Sequence, residues 1–268
     1  MAGMHGNSAA NVATNACDVL IAVGMRFDDR VTGDPNKYAR QAKIVHIDID
    51  RSEFNKNIPA DVAILGDAKK VLSQLIPQVG KTTHKEWLAT FDHPQAVEDE
   101  KVIKPEIHPV EGPINMGEVA RKVSEATGNK AVLVTDVGQN QMLSARYFKY
   151  TQPDSIVTSG LGTMGFGLPA AIGAKIGAPD REVCLFVGDG GLQMTIQELG
   201  TILEFKVPVK IILLNNNFLG MVRQWQELFY HKHYSQTPMT NPDFSLICKA
   251  YGIEAEDVCT REELDGAI

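Results

Sequence analysis

Asp189 and the triplet Asn215–Asn217 are the residues whose types and spacing point most directly to chemistry. Gly188-Asp189-Gly190-Gly191 follows the apolar run Val183–Val187, and the asparagines follow a second apolar run, Val209–Leu214. A carboxylate and an amide oxygen are hard donors. They suit a divalent cation such as magnesium, whose octahedron is completed by phosphate and water. The glycines around Asp189 let a ligand approach the backbone closely. To work together, these groups must be positioned by the elements between them. Residues 192–205 have helical spacing, with Leu192, Ile196, Leu199, Ile202 and Leu203 on one face. Strand, turn, helix and strand in that order favour a parallel pair with a right-handed crossover. Both strands then end on one sheet edge, where open α/β sheets bind ligands, and the helix start offers N–H groups to an anion. The plainer alternative makes Asp189 a helix cap and the asparagines a loop. It explains each cluster alone but not their pairing at equivalent strand ends.

The chain has 268 residues, enough for one large or two ordinary domains, with 44% hydrophobic and 22% charged residues. Its formal charge of −7 leaves no electrostatic footprint for nucleic acid or an anionic membrane. Any phosphate must therefore be held by local features. Cys17, Cys184, Cys248 and Cys259 are scattered and form no CxxC, so neither zinc site nor disulfide framework is indicated. Cys17 and Cys184, in or beside apolar runs, read as buried thiols in a reducing compartment, and a cytoplasmic setting is expected. No apolar run is long enough to span a membrane and no signal peptide is visible. Met1–Gly6 is glycine-rich like an interior loop, so the expectation is a piece of a longer protein.

In residues 1–80, a short helix over Ala9–Thr14 precedes three apolar strands, Asp18–Val23, Lys43–Asp48 and Val62–Leu65, and a helix to about Ile76. This alternation predicts a parallel α/β layer. Arg26-Phe27-Asp28-Asp29-Arg30 follows the first strand and on spacing alone reads as a charged loop. Asp48 ends the second strand, where a carboxylate commonly meets a ribose hydroxyl. His46 reads as a packed histidine. Residues 81–112 are proline-bearing and polar, and read as an extended connection; Trp87 and Phe91 have helical spacing within it. His84, His93 and His108 share no ligand spacing.

Residues 113–268 read as a second α/β domain. A helix over Met116–Thr127 and a strand over Ala131–Thr135 lead to Asp136-Val137-Gly138-Gln139-Asn140-Gln141-Met142. A short strand, Ile156–Thr158, precedes the glycine-rich Ser159–Pro169 and an alanine-rich helix. Gly160, Gly162 and Gly165 spell a literal GxGxxG, which keeps a nicotinamide oxidoreductase as a rival. Against it stand the glycine after Asp189, the asparagines one strand later, and Pro169. A helix over Leu219–Phe229 puts Met221 and Trp225 on one face, which on spacing alone is core packing. His231 and His233 read as exposed, Ser235–Asn241 as a mobile polar loop, Phe244–Tyr251 as a helix, Ile253–Ala255 as a short strand and Arg261–Ile268 as a helix.

GDG followed by NN resembles the diphosphate-binding motif of thiamine-diphosphate enzymes. LLNNNFLGMVRQW, with GMRFDDRVTG, IVHIDID and DVGQNQM, resembles the catalytic large subunit of acetolactate synthase along nearly the whole chain. The resemblance implies α/β parallel-sheet three-layer domains: part of an FAD-binding middle domain (1–80), a linker (81–112) and a thiamine-diphosphate domain (113–268). It implies Mg2+ on Asp189, Asn216 and the Phe218 carbonyl. Thiamine diphosphate is implied along Val137, Gly138, Gln139, Asn140, Gly162, Met164, Gly188, Gly190, Gly191, Leu219, Gly220 and Met221. FAD is implied along Gly3, Met4, His5, Gly24, Met25, Arg26, Asp28, Asp29, Arg30, Asp48, Ile49 and Met142. Arg30, Met221 and Trp225 are implied at the substrate. Asn140 stands where the family usually has histidine, so a proton-shuttling role is lost at that position. The implied activity decarboxylates pyruvate and transfers the hydroxyethyl unit to a second 2-ketoacid, pyruvate or 2-ketobutyrate, in branched-chain amino-acid biosynthesis. The family's catalytic glutamate is expected upstream of Met1, so this chain alone is expected to be inactive. Partners implied are a homodimer or larger assembly and a regulatory small subunit. Glyoxylate carboligase, pyruvate oxidase and a non-catalytic binding module are the other readings.

Overall fold

The computed structural model describes residues 2–153, 155–157 and 161–268. The chain divides into two compact units, one ending at Ile103 and one starting at Lys104.

In the first unit β1 (Val19–Val23), β2 (Lys43–Asp48) and β3 (Val62–Leu65) form a parallel sheet in that order. The helices are α1 (Ser8–Thr14), α2 (Asp29–Thr32), α3 (Ala68–Leu75), α4 (Lys85–Ala89) and α5 (Asp92–Glu98). Three of these begin at side-chain caps that the sequence supplies: Asn7, Asp28 and Asp67 each accept from a first-turn N–H. One sheet face packs Ala22 and Ile44 on Phe27, Tyr38 and Ile58. On the other face Val19, Ile21 and Val23 of β1, an edge strand, are exposed. His46 is fully buried, edge-on between Phe27 and Phe54 with ring centroids 5.0 Å away on each side, as a packed histidine should be.

The stretch expected to run extended is largely helical. α4 and α5 are followed by a π-helical turn, Asp99–Ile103. Pro94 falls in the first turn of α5, where N–H groups have no helical acceptor anyway. Trp87 and Phe91 meet edge-to-face at 5.3 Å, as their spacing implied. The Ser8 N–H and hydroxyl donate to the Glu98 carboxylate at 2.6 and 2.8 Å, which docks α5 on α1.

In the second unit β4 (Val132–Thr135), β5 (Ile156–Val157), β6 (Val183–Gly188) and β7 (Lys210–Leu214) form a parallel sheet of order β5-β4-β6-β7. Its helices are α6 (Lys104–Ile107), α7 (Met116–Ala126), α8 (Gln139–Tyr147), α9 (Gly167–Gly177), α10 (Asp189–Met194), α11 (Leu199–Phe205), α12 (Gly220–Phe229), α13 (Phe244–Ala250) and α14 (Arg261–Ala267). β4 is wholly buried and β6 nearly so, as parallel strands covered on both faces must be, and this is why both read as unbroken apolar runs. Leu133, Leu168, Leu185, Phe186 and Leu199 are the largest leucine and phenylalanine side chains at its centre. Both units are parallel α/β layers.

Two local expectations need correction, and one falls on residues outside those described. The single helix over 192–205 is two. α10 starts at Asp189 itself and ends at Met194; the next residue, Thr195, caps it and its hydroxyl donates to the Gly165 carbonyl at 2.9 Å, and a 3-10 turn, Ile196–Glu198, then leads into α11. The tighter turn shifts the helical phase. Leu192, Leu199 and Ile202 stay in the core, whereas Leu203 turns outward and is 52% exposed. Ile253–Ala255 pairs with no strand: Ile253 packs against the core and the chain runs on irregularly. Thr158, Ser159 and Gly160 lie outside the described residues. Among the described residues no helix is long and apolar enough to cross a membrane.

Candidate functional site

From β4 the chain goes outward to β5, then crosses back to β6 on the other side of β4. The strand order therefore reverses between β4 and β6, and the carboxyl ends flanking that switch point are where such sheets take ligands. Asp136 follows β4, Asp189 follows β6 and Asn215 follows β7.

Asp136 is fully buried. Its carboxylate accepts from the N–H groups of Val137 (2.7 Å), Gly165 (3.1 Å) and Gly167 (2.7 Å). It thus stitches the glycine loop before α9 to the end of β4, and Gly191 backs onto it. Sequence reasoning passed over this residue; a carboxylate at a strand end just before a glycine-rich turn was the available signal. The same bonds remove the nicotinamide rival's premise. A dinucleotide pyrophosphate needs the loop and helix-start N–H groups free, and those of Gly165 and Gly167 are spent on Asp136.

Asp189 is 2% exposed. Its Oδ1 accepts from the Gly190 N–H at 2.9 Å, and its Oδ2 from the Asn217 N–H at 2.8 Å. The carboxylate thereby ties the end of β6 to the end of β7, as the parallel pairing Gly188↔Leu214 requires. Asn216 Oδ1 accepts from the Phe218 N–H at 3.0 Å. Residues 217–219 run antiparallel to 237–239: Leu219 N–H donates to the Thr237 carbonyl (2.9 Å) and Met239 N–H to the Asn217 carbonyl (2.8 Å). That pattern turns the N–H and carbonyl of Phe218 away from Pro238, leaving the Phe218 carbonyl on the Asn216 side. The loop expected to be mobile is therefore tied to the site. Asn241, which sequence reasoning did not single out, puts its amide 2.7 Å from Asp189 Oδ2.

Glycines form the floor. A Cβ on Gly220 would lie 2.3 Å from Gln139 Oε1, and one on Gly190 would lie 3.0–3.3 Å from Leu219, Met164 and Met239. Val137 and Gly138 lead into α8, with Gly138 at φ 135°. Gln139 also donates to Gln224 Oε1 at 3.1 Å, joining α8 to α12. Asn140 is buried beside Gly138 and Gly188, and its Oδ1 has no hydrogen-bond partner. Gly162 has φ 67°, a conformation that favours glycine. Met221 and Trp225 are half-buried on α12, a helix with no fully buried residue, and the Trp225 ring meets Phe229 at 5.2 Å. Arg223 stacks between the rings of Phe218 (4.0 Å) and Tyr234 (4.9 Å). His231 and His233 are exposed, and Met142 is half-buried in α8. Among the described residues no three His, Cys, Asp or Glu side chains gather as metal ligands; the candidate set has one carboxylate, one amide and one carbonyl. A glycine floor and a carboxylate oxygen with spare lone pairs fit a cation-bound diphosphate. α10 has only six residues, so helix-end electrostatics contribute less than the sequence implied.

In the first unit the expected flavin residues also cluster. Gly24–Arg30 follows β1, and Asp48 ends its neighbour β2, with Ile49 just after it. A Cβ on Gly24 would meet nothing, and Ile49 is 74% exposed, so this edge is open. Asp48 is buried and accepts from the Asp50 N–H at 2.8 Å. Asp28 pairs with Arg26 (3.1 Å) and Asp29 with Arg30 (3.2 Å). Met4 N–H donates to the Arg30 carbonyl at 2.8 Å, and a Cβ on Gly3 would lie 2.6 Å from the same oxygen. Met25 packs on the core cluster. Burial, and then the Arg30 charge, hold His5 below the ordinary imidazole range.

Comparison with known proteins gives the family. Residues 136–268 match the thiamine pyrophosphate enzyme C-terminal TPP-binding domain, and residues 1–75 match the thiamine pyrophosphate enzyme central domain. The chain is 43% identical to the Escherichia coli acetolactate synthase isozyme 2 large subunit, covering 100% of this chain and 48% of the relative. It is 44% identical to a probable acetolactate synthase large subunit of Methanocaldococcus jannaschii (98% and 46%) and 44% identical to the acetolactate synthase large subunit of Lactococcus lactis (95% and 44%). The chain thus spans about half the length of the curated relatives it matches. It belongs to the thiamine pyrophosphate enzymes, in the family of the acetolactate synthase large subunits.

Proposed function

We propose that this chain supplies the flavin-contacting and diphosphate-holding parts of an acetolactate synthase. That enzyme decarboxylates pyruvate and joins the two-carbon unit to a second 2-ketoacid, pyruvate or 2-ketobutyrate. Thiamine diphosphate, when bound, supplies the electron sink that the decarboxylation requires. The chain's own residues hold and orient. Asp189, Asn216 and the Phe218 carbonyl take Mg2+, and the glycines at 188, 190, 191 and 220 keep side chains away from the diphosphate. Val137, Gly138, Gln139 and Leu219 wall that cradle. Gly162 and Met164 face the aminopyrimidine, Met221 wedges beneath the cofactor, and Trp225 borders the second ketoacid. Asn140 donates a hydrogen bond there but moves no proton.

FAD belongs to the first unit's open edge, along Gly3–His5, Gly24–Arg30, Asp48 and Ile49. A homodimer and a regulatory small subunit complete the proposal. Four cysteines without a disulfide accord with a reducing, cytoplasmic setting. The observation that carries this reading is the Asp189 carboxylate, held against the β7 end beside Asn216 and Phe218 at the switch point. The test is calorimetric titration of Mg2+ and thiamine diphosphate into the chain. Saturable binding that needs both ligands and is lost in Asp189→Ala is expected. No binding to the unaltered chain overturns the reading.

A further inference from the structure

Asn241 is hydrogen-bonded more densely than a loop asparagine needs to be. Its Nδ2 lies 2.7 Å from Asp189 Oδ2, 2.8 Å from Asn215 Oδ1 and 3.0 Å from Asn217 Oδ1. Its Oδ1 accepts from Gln193 Nε2 at 2.9 Å. An ionised carboxylate only accepts, so the atom facing Asp189 must be the amide nitrogen, and the amide orientation is fixed. Asn215 and Asn217 turn toward Asn241, whereas Asn216 turns to the Phe218 N–H.

The consequence lies on Asp189. Each carboxylate oxygen has two lone-pair sites. On Oδ2 both are taken, one by the Asn217 N–H and one by Asn241. On Oδ1, among the described residues, only one is taken, by the Gly190 N–H. We propose that Asn241 is a positioning residue that occupies Asp189 Oδ2, so that the carboxylate offers a cation one oxygen and not two. A one-oxygen carboxylate suits the compact octahedron of Mg2+, whereas Ca2+ readily accepts both oxygens and a larger, looser shell. Asn241 thereby tunes the site for Mg2+ over Ca2+ and makes the 237–241 segment part of the cation's outer shell. This rests on the metal–diphosphate reading above.

The test titrates Mg2+ and Ca2+ separately, each with saturating thiamine diphosphate, into the chain and its Asn241→Ala variant, with circular dichroism confirming the fold. Outer-shell losses typically cost about 10–100-fold in metal affinity. Asn241→Ala is expected to lose Mg2+ affinity in that range while Ca2+ affinity falls far less, so the Mg2+/Ca2+ preference drops about tenfold. Equal losses for both ions, or no loss, overturn the positioning role. An unaltered chain that binds neither ion with the cofactor overturns the metal–diphosphate reading itself, and this inference with it. Should Asn241→Ala fail to fold, Gln193→Ala, which frees the Asn241 carbonyl end, decides. A smaller drop in the same preference supports the role, and an unchanged preference overturns it.

Discussion

A Cβ built on Gly191 lies 2.5 Å from Asp136 Oδ1. The close approach couples the end of β4 to the first turn of α10. Neither side can yield cheaply, because the Asp136 carboxylate is already committed to three backbone N–H groups. Gly191→Ala should therefore cost about 1–3 kcal/mol, the range for overpacking a filled interior. Urea unfolding of the two proteins measures it, and a difference under about 0.5 kcal/mol, the scatter of ordinary surface changes, would show that the contact relaxes.

Asp136→Asn tests the other partner. The amide keeps one accepting oxygen and sets an N–H2 group against donors. At least one of the Val137, Gly165 and Gly167 N–H groups then loses its acceptor, at about 1–3 kcal/mol. Thiamine diphosphate affinity should fall with stability, since the loop carrying Gly162 and Met164 hangs on this carboxylate. Unchanged affinity in a destabilised variant would separate the loop from the site.

Cys184 should make the fold sensitive to alkali. Burial first, and then the nearby Glu182, push its thiol up to about 12, with Lys210 opposing. In the unfolded chain the thiol ionises near 8.5. Between those values the unfolded state gives up a proton that the folded state keeps, so stability falls as pH rises, by up to about 1.4 kcal/mol per pH unit from this group. Below about pH 8 the group contributes no slope. Cys184→Ala should flatten the decline between pH 9 and 11. An identical slope in urea midpoints would remove Cys184 as its cause.

Asn140→His places an imidazole beside Gly138 and Gly188. At this buried position desolvation favours the neutral imidazole, and a bound phosphate favours the protonated one. Its protonated form adds a charge-assisted bond to a phosphate oxygen. Cofactor affinity in the variant should be about tenfold tighter at pH 6 than at pH 8, the equivalent of about 1.4 kcal/mol, beyond any change the unaltered chain shows. Parallel pH profiles for the two proteins would refute a phosphate contact at this position.

Much of this architecture is legible in the residues because both sheets are parallel. Strands such as β4 and β6, buried on both faces, read as plain apolar runs, and their carboxyl ends mark the site. The meeting of Asp189 with the end of β7 follows from that topology alone. What stays hidden depends on distant partners. Asp136 looks like a turn residue until Gly165 and Gly167 fold over it, and Asn241 looks like loop polarity until Gln193, Asn215 and Asn217 surround it. Thr195 breaks a well-formed helical period by bonding to a carbonyl from another element, so Leu203 faces out against its spacing. Helicity around Pro94 is masked because the proline occupies the one turn that tolerates it.

The edge strand β1 has a practical consequence for anyone weighing this protein in solution. Among the described residues its outer backbone has no ladder partner, and Val19, Ile21 and Val23 are exposed. Such a border is adhesive toward any other extended peptide. Apparent particle size at high concentration will report this stickiness before it reports any assembly between catalytic halves. A charge introduced at Ile21 should be the first thing tried when the sample clouds.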